Sequence, residues 1–180
     1  YEEKSRIAKR AAELIGYNET IFLGSGSTCA LLAEEIAKTK PNVSIITHSV
    51  YIADHAAKLG NNKIILLGGE YQKEAEVMVG PLVRRTAKQY FVDKIFLGTD
   101  GFVKNIGFMG SDSLRTEAIK NMIDSARTII VLTDSTKFNK MGVIIQFGLA
   151  KVVKIITDKN ISKEYYDYFK DNRISVEIVN

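Results

Sequence analysis

At 180 residues, with 46% hydrophobic and 26% charged side chains, the chain has the balance of one ordinary water-soluble domain and enough length to bury a core. The net charge of +4 is mild and spread out, with no arginine-rich run or aromatic-interleaved basic stripe, so this stretch alone does not read as a nucleic-acid surface. Two prolines and no low-complexity tract exclude a linker, nothing approaches a membrane span, and Tyr1-Glu2-Glu3-Lys4 is no signal peptide. The lone Cys29 cannot form an internal disulfide, which points to a reducing cytoplasm; at the start of a helix it reads as a small buried thiol rather than a nucleophile. A first residue other than methionine points to a fragment of a longer protein.

Taken in order, the pattern predicts a leading helix over Glu2–Ile15, a strand at Ile21–Leu23 and a helix over Thr28–Thr39. A strand at Val43–Ile46, a helix at Val50–Leu59 and a strand at Lys63–Leu67 follow. Glu70–Val79 is ambiguous and suits an edge hairpin; Pro81 then fits the first turn of a helix running to Tyr90. The remainder alternates: strand Lys94–Leu97, helix Asp112–Ser125, strands Thr128–Leu132 and Val152–Ile156, helix Ser162–Asn172, strand Val176–Val179. Most strands are continuous apolar runs, as parallel strands covered on both faces require. The expected fold is α/β: a Rossmann-like, mostly parallel sheet with helices on both faces, residues 1–180 forming one domain.

The most informative stretch is Ile21-Phe22-Leu23-Gly24-Ser25-Gly26-Ser27-Thr28, where an apolar strand breaks into glycines and hydroxyls before a helix. Glycine lets the backbone approach a ligand closely, and a new helix aims unpaired N–H groups and its positive dipole end at an anion. A plain turn capped by Ser27 or Thr28 is the simpler reading. A Rossmann fingerprint is disfavoured, because Cys29 stands where its third glycine belongs and Thr47-His48-Ser49 where a ribose-binding acid should be. The absence of a Gly-Lys-Ser/Thr sequence disfavours a nucleoside triphosphate loop. A small phosphorylated metabolite remains.

Ligands of open α/β sheets bind outside the carboxyl ends of the strands. Those ends carry Gly24–Thr28, Thr47–Ser49, Gly68–Glu70, Gly98–Gly101 and Thr133–Lys137, each polar or glycine-rich. Asp100, flanked by Gly98 and Gly101, suits sugar hydroxyls, or holds its turn as an Asx motif. Lys137 suits a ligand phosphate or carboxylate, or pairs with Asp134 to fix the turn. His48 either hydrogen-bonds a ligand or is a polar strand-end residue. His48 and His55 show no ligand spacing with Cys29, so neither a metal nor a cofactor is expected.

With these tips assembled, the chain resembles the effector domain of DeoR-type bacterial transcriptional repressors over nearly its whole length. The likeness rests on Gly24-Ser25-Gly26-Ser27-Thr28, Thr47-His48-Ser49, Leu67-Gly68-Gly69, Asp93–Gly98, Asp100-Gly101, Glu117 with Lys120, and Asp134–Phe138. It implies an effector that is a phosphorylated sugar or polyol, bound by these tips including Gly69. It also implies a helix-turn-helix domain, absent from this chain, as the only route to DNA, and a homo-oligomer without membrane attachment. The same fold occurs in ribose-5-phosphate isomerases, which carry Asp-Gly-Ala-Asp-Glu where this chain reads Leu97-Gly98-Thr99-Asp100-Gly101. On that parallel Lys4 falls at a phosphate-contacting lysine and Glu117 at the general base. Two of the carboxylates are nevertheless gone, so a binding module without catalytic residues is expected. A sugar-phosphate isomerase is the alternative, and a deacetylase or lactonase-like enzyme a third possibility.

Overall fold

A computed structural model describes all of residues 1–180. In chain order, α1 (Glu2–Glu13), β1 (Thr20–Leu23), α2 (Ser27–Thr39), β2 (Ser44–Thr47), α3 (Val50–Leu59) and β3 (Ile64–Leu66) form the first half. A hairpin of β4 (Glu70–Gln72) and β5 (Val77–Val79) follows, then α4 (Pro81–Ala87), β6 (Val92–Leu97), β7 (Gly101–Val103) and β8 (Gly107–Gly110). The chain ends with α5 (Ser113–Ile123), β9 (Ala126–Leu132), β10 (Ile144–Phe147), β11 (Val152–Asp158), α6 (Lys163–Asp171) and β12 (Ser175–Val179).

Seven strands form one sheet in the order β12-β11-β9-β6-β1-β2-β3, and every pairing in it is parallel. The apolar runs are continuous because both faces are covered. Ile21, Leu23, Ile45, Phe96, Ile130 and Leu132 pack against α1, α2 and α3, while the alternate residues Phe22, Ile46, Ile95, Leu97, Ile129 and Val131 pack against α4, α5 and α6. Helix α1 joins through Ile7, Ala8, Ala11 and Ala12, a stripe at helical spacing.

From β1 the chain steps outward through β2 to β3, then returns to β6 on the other side of β1 and continues to β12. The loops leaving β1 and β6 therefore run in opposite directions, and a crevice opens at their carboxyl ends. The hairpin expected over Glu70–Val79 is present, Glu70 pairing with Val79 and Gln72 with Val77.

The antiparallel sheet β10-β8-β7 has no counterpart in the sequence reading. Its strands are short, only β8 is buried throughout and bounded by glycines at both ends, and β10 joins from more than thirty residues beyond β8. An aromatic cluster fastens it: the ring of Phe102 lies 4.6 Å from that of Phe108 and 4.9 Å from that of Phe169 in α6, and Phe108 stacks on Phe147 at 4.7 Å. Phe102 is fully buried, so Phe102→Ala is expected to cost about 3–5 kcal/mol of unfolding free energy in a urea titration. A loss under about 1 kcal/mol would show that the small sheet is not held by this ring.

Candidate functional site

Strand β1 ends as Gly24 N–H donates to Phe96 O at 2.9 Å, keeping the turn beside β6. Gly26 then takes φ 95° and ψ 172°, a conformation closed to most side chains, and stands as the N-cap of α2. Helices α3, α5 and α6 are capped by Ser49, Asp112 and Ser162, whose side chains accept from Ile52, Arg115 and Tyr165 N–H. Helix α2 has no capping side chain and no acid in its first turn. Its first intrahelical bond runs from Ala30 N–H to Gly26 O at 2.9 Å, so the amides of Ser27, Thr28 and Cys29 lie ahead of the ladder at its positive end. Helix α1 crosses this turn and sets Lys4 Nζ 3.0 Å from Ser27 Oγ as its donor.

The turn forms one wall of a cavity of about 550 Å³. Lys4, Ser25, Gly26, Ser27 and Thr28 come from α1 and the β1–α2 turn. The tip of β2 adds His48, the tip of β6 adds Gly98, Thr99 and Asp100, and the segment after β9 adds Thr133, Asp134 and Lys137. Lys137 is carried on a 3-10 turn over Ser135–Lys137, where Asp134 Oδ1 accepts from Thr136 N–H at 3.0 Å. Asp158, at the end of β11, grips the same turn through Ser135 N–H at 2.7 Å and Ser135 Oγ–H at 2.8 Å. Burial works against the Asp158 charge, but hydrogen bonds from Ser135 and Asn160 outweigh it and hold its carboxyl below the usual aspartate range. Asp134 therefore serves the turn as a cap, and the Asp134–Lys137 ion pair considered from the sequence is not formed.

His48 is fully buried and bonds through Nδ1 to Met78 O at 3.2 Å. Burial, joined by the positive charge of Arg115, lowers its pKa to about 4. Burial also lifts the Cys29 thiol to about 12, which keeps it protonated and unreactive despite its place on the cavity wall. No group of three His, Cys, Asp or Glu side chains is arranged to hold a metal.

Six of the expected residues do not line the cavity. Gly24 lies beneath it in the β1–β6 pairing. Thr47 Oγ1 accepts from Ser49 N–H at 3.1 Å and Ser49 Oγ caps α3, so both hydroxyls serve the backbone. Gly69 and Gly101 are packing positions, where a Cβ would fall 2.5 Å from Val79 O and 2.1 Å from Lys140 O. Glu117 is exposed, about 200° around α5 from both Arg115 and Ile119, the residues of that helix that face the cavity. Arg115 escaped the sequence reading, although Asp112 as N-cap and the buried Thr116, Ile119 and Ile123 fix the helix phase that points it inward. Its guanidinium donates to Gln72 Oε1 at 3.0 Å and Ser111 Oγ at 3.3 Å. Glu74, at the hairpin tip, and Gln146, on β10, also line the cavity from outside the parallel layer.

Residues 1–159 match the family model described as the DeoR C terminal sensor domain. The chain belongs to the DeoR sensor-domain family. Among curated relatives, this DeoR sensor domain is 31% identical over 180 residues to the HTH-type transcriptional regulator GolR of Listeria innocua, covering 98% of this chain and 69% of that protein. It is 27% identical over 177 residues to the HTH-type transcriptional regulator IolR of Bacillus subtilis, covering 98% and 70%. Its fold is similar to ribose 5-phosphate isomerase A from Methanocaldococcus jannaschii, with TM-score 0.55, 23% identity and coverage of 75% of this chain and 53% of that one. A D-ribose-5-phosphate isomerase in complex with phospho-erythronic acid gives TM-score 0.57 at 21% identity, covering 76% and 53%. The sensor domain thus spans about half the length of the isomerase chains it matches.

The His48 environment makes a pH prediction. Its folded pKa lies below the ordinary 6.5, so between pH 6.5 and about 4 the unfolded chain takes up a proton that the folded one refuses. This contribution to stability is fully present above pH 6.5 and is lost as pH falls through about 4. Urea unfolding across that window is expected to show a shallower decline in His48→Asn than in the parent; equal slopes would contradict a buried neutral ring.

Proposed function

We propose that this sensor domain binds a phosphorylated sugar or sugar derivative in the cavity above β1 and β6, and that binding controls the DNA affinity of the regulator to which it belongs. The observation that carries this reading is the uncapped N-terminus of α2 at Gly26, with Lys4 held over Ser27 and both facing the cavity. The phosphate sits on the amides of Ser27, Thr28 and Cys29, neutralised by Lys4. Lys137 supplies a second cation and Asp100 accepts hydrogens from sugar hydroxyls. A helix-turn-helix domain elsewhere in the regulator reads the operator, as a homo-oligomer presenting paired readers. The ligand must then bind the DNA-competent and released conformations with different affinities.

Binding without turnover is the reading favoured over an aldose–ketose isomerase. Proton transfer between sugar carbons needs a base within reach of the substrate. Leu97 and Gly101 carry no carboxylate and Glu117 points away from the cavity; of the carboxylates that line it, Asp134 caps its turn, Asp100 is assigned to sugar hydroxyls and Glu74 sits at the hairpin tip.

Thermal-shift titration with ribose 5-phosphate, glucose 6-phosphate and phospho-erythronic acid is expected to give at least one hit. Its stabilisation should grow as RT ln(1 + [L]/Kd), with the unphosphorylated compound far weaker. Lys137→Ala should weaken that hit by more than about 1.5 kcal/mol in calorimetry, as for a hydrogen bond to a charged group. In Gly26→Ala the added Cβ meets no protein atom within 4 Å, so the fold should survive with a backbone strain of roughly 1–3 kcal/mol while phosphate binding is lost. Unchanged affinity in that folded variant, or robust conversion of ribose 5-phosphate to ribulose 5-phosphate by the parent, would overturn the proposal.

A further inference from the structure

His48 combines four features that together define what it can recognise. Its ring is fully buried yet lines the cavity. Its Nδ1 lies 3.2 Å from Met78 O, and a carbonyl oxygen only accepts, so Nδ1 carries the hydrogen. A neutral imidazole has one ring N–H, and burial beside Arg115 keeps this ring neutral. Nε2 is therefore a bare lone pair, and this atom is buried with no donor among the protein's own groups. Buried acceptors left unpaired are costly and rare, and this one belongs to a ring that borders the cavity.

We infer that His48 Nε2 accepts a hydrogen bond from a hydroxyl of the bound ligand and thereby fixes which end of that ligand faces β2. The inference rests on the sugar-phosphate reading of the cavity and adds its orientation. A phosphate dianion brings only acceptor oxygens, which the Nε2 lone pair repels, so the ester end is excluded from this wall and directed to Lys4 and Ser27. A hydroxyl, by contrast, donates to Nε2 and keeps its oxygen free to accept. The hairpin takes part in setting the ring. Met78 N–H donates to His48 O at 2.8 Å and Val50 N–H to Glu76 O at 2.9 Å, so the hairpin is bound to the backbone of His48 and of Val50 just after it, and selects the tautomer of the ring. His48 is thus a specificity-determining residue for a polyhydroxylated phosphate ester, and phosphate alone leaves it unsatisfied.

Nitrogen-15 spectra of histidine-labelled protein test this directly, since His48 and His55 are the only histidines and His55→Gln assigns them. In the free protein, long-range proton–nitrogen correlations should show Nδ1 protonated and Nε2 bare from pH 8 to pH 5. Saturation with the phosphate ester that stabilises the protein most, from ribose 5-phosphate, glucose 6-phosphate and phospho-erythronic acid, should move the Nε2 resonance upfield toward the protonated range. Saturating inorganic phosphate should leave it in place. His48→Asn retains a donor for Met78 O and lacks Nε2; it should bind that sugar phosphate about five- to tenfold more weakly and inorganic phosphate unchanged. An Nε2–H tautomer, an unmoved Nε2 resonance on saturation, or unchanged sugar-phosphate affinity in folded His48→Asn each overturns the inference while the sugar-phosphate reading stands. If none of ribose 5-phosphate, glucose 6-phosphate and phospho-erythronic acid binds, that reading fails and the inference with it. The spectra use the parent ring, so they decide the matter even if His48→Asn does not fold.

Discussion

Strand β1 lies inside the sheet, with β2 on one side and β6 on the other, and the chain leaves these two neighbours in opposite directions. At its end the backbone must turn straight into α2, and Gly26 makes that turn in a conformation that leaves the helix without a side-chain cap. Three amides at the positive end of a thirteen-residue helix are left facing a cavity instead of a hydroxyl or a carboxylate. The rest of the site is organised around that unsatisfied end. Helix α1 brings Lys4 over it, and the turn pinned by Asp134 and Asp158 carries Lys137 to the opposite side. The β4–β5 hairpin folds back onto residues 48–50 and closes the wall beside β2.

The same geometry distributes polar groups by role. Hydroxyls and carboxylates engaged by the backbone build the frame: Thr47 in the turn after β2, Ser49 at the start of α3, Asp134 and Asp158 around the Lys137 turn. The cavity lining includes residues with bonding capacity to spare, among them Lys137, Asp100 and, through its unpartnered Nε2, His48. A frame this fully bonded is rigid, which suits discrimination between ligands by preorganised partners. It also suggests where a conformational signal can start. The hairpin tip at Glu74 contributes to the cavity while its strand β5 is bonded to the His48 segment, so a ligand held at both places biases the hairpin's position.

Much of this was legible in the sequence because the parallel layer obeys local rules. Each of the seven central strands announces itself as an apolar run, and the helix over Val50–Leu59 has the expected limits because Ser49 and Gly60 bound it. The small antiparallel sheet was not legible: Gly107-Phe108-Met109-Gly110 gains one of its strand partners only from Ile144–Phe147, far along the chain. At the site, the Gly24–Thr28 turn, Lys4, Asp100 and Lys137 could be placed from strand order and from the isomerase parallel. Glu117 lies off the cavity because helical phase, which the isomerase parallel does not carry, turns Arg115 and Ile119 toward the cavity and Glu117 to solvent. Arg115, Glu74 and Gln146 lie on elements outside the parallel layer, where strand-tip reasoning does not reach.

The central claim, that the ligand's phosphate rests on the open end of α2, is tested most directly by amide proton shifts in a nitrogen-15-labelled sample. The titrant is whichever sugar phosphate raises the melting temperature most. The amides of Ser27, Thr28 and Cys29 should move strongly downfield as they donate to the phosphate, and the matching unphosphorylated sugar should leave them in place. Saturable binding that shifts the amides around Arg115 and Gln146 while Ser27, Thr28 and Cys29 stay fixed would contradict it.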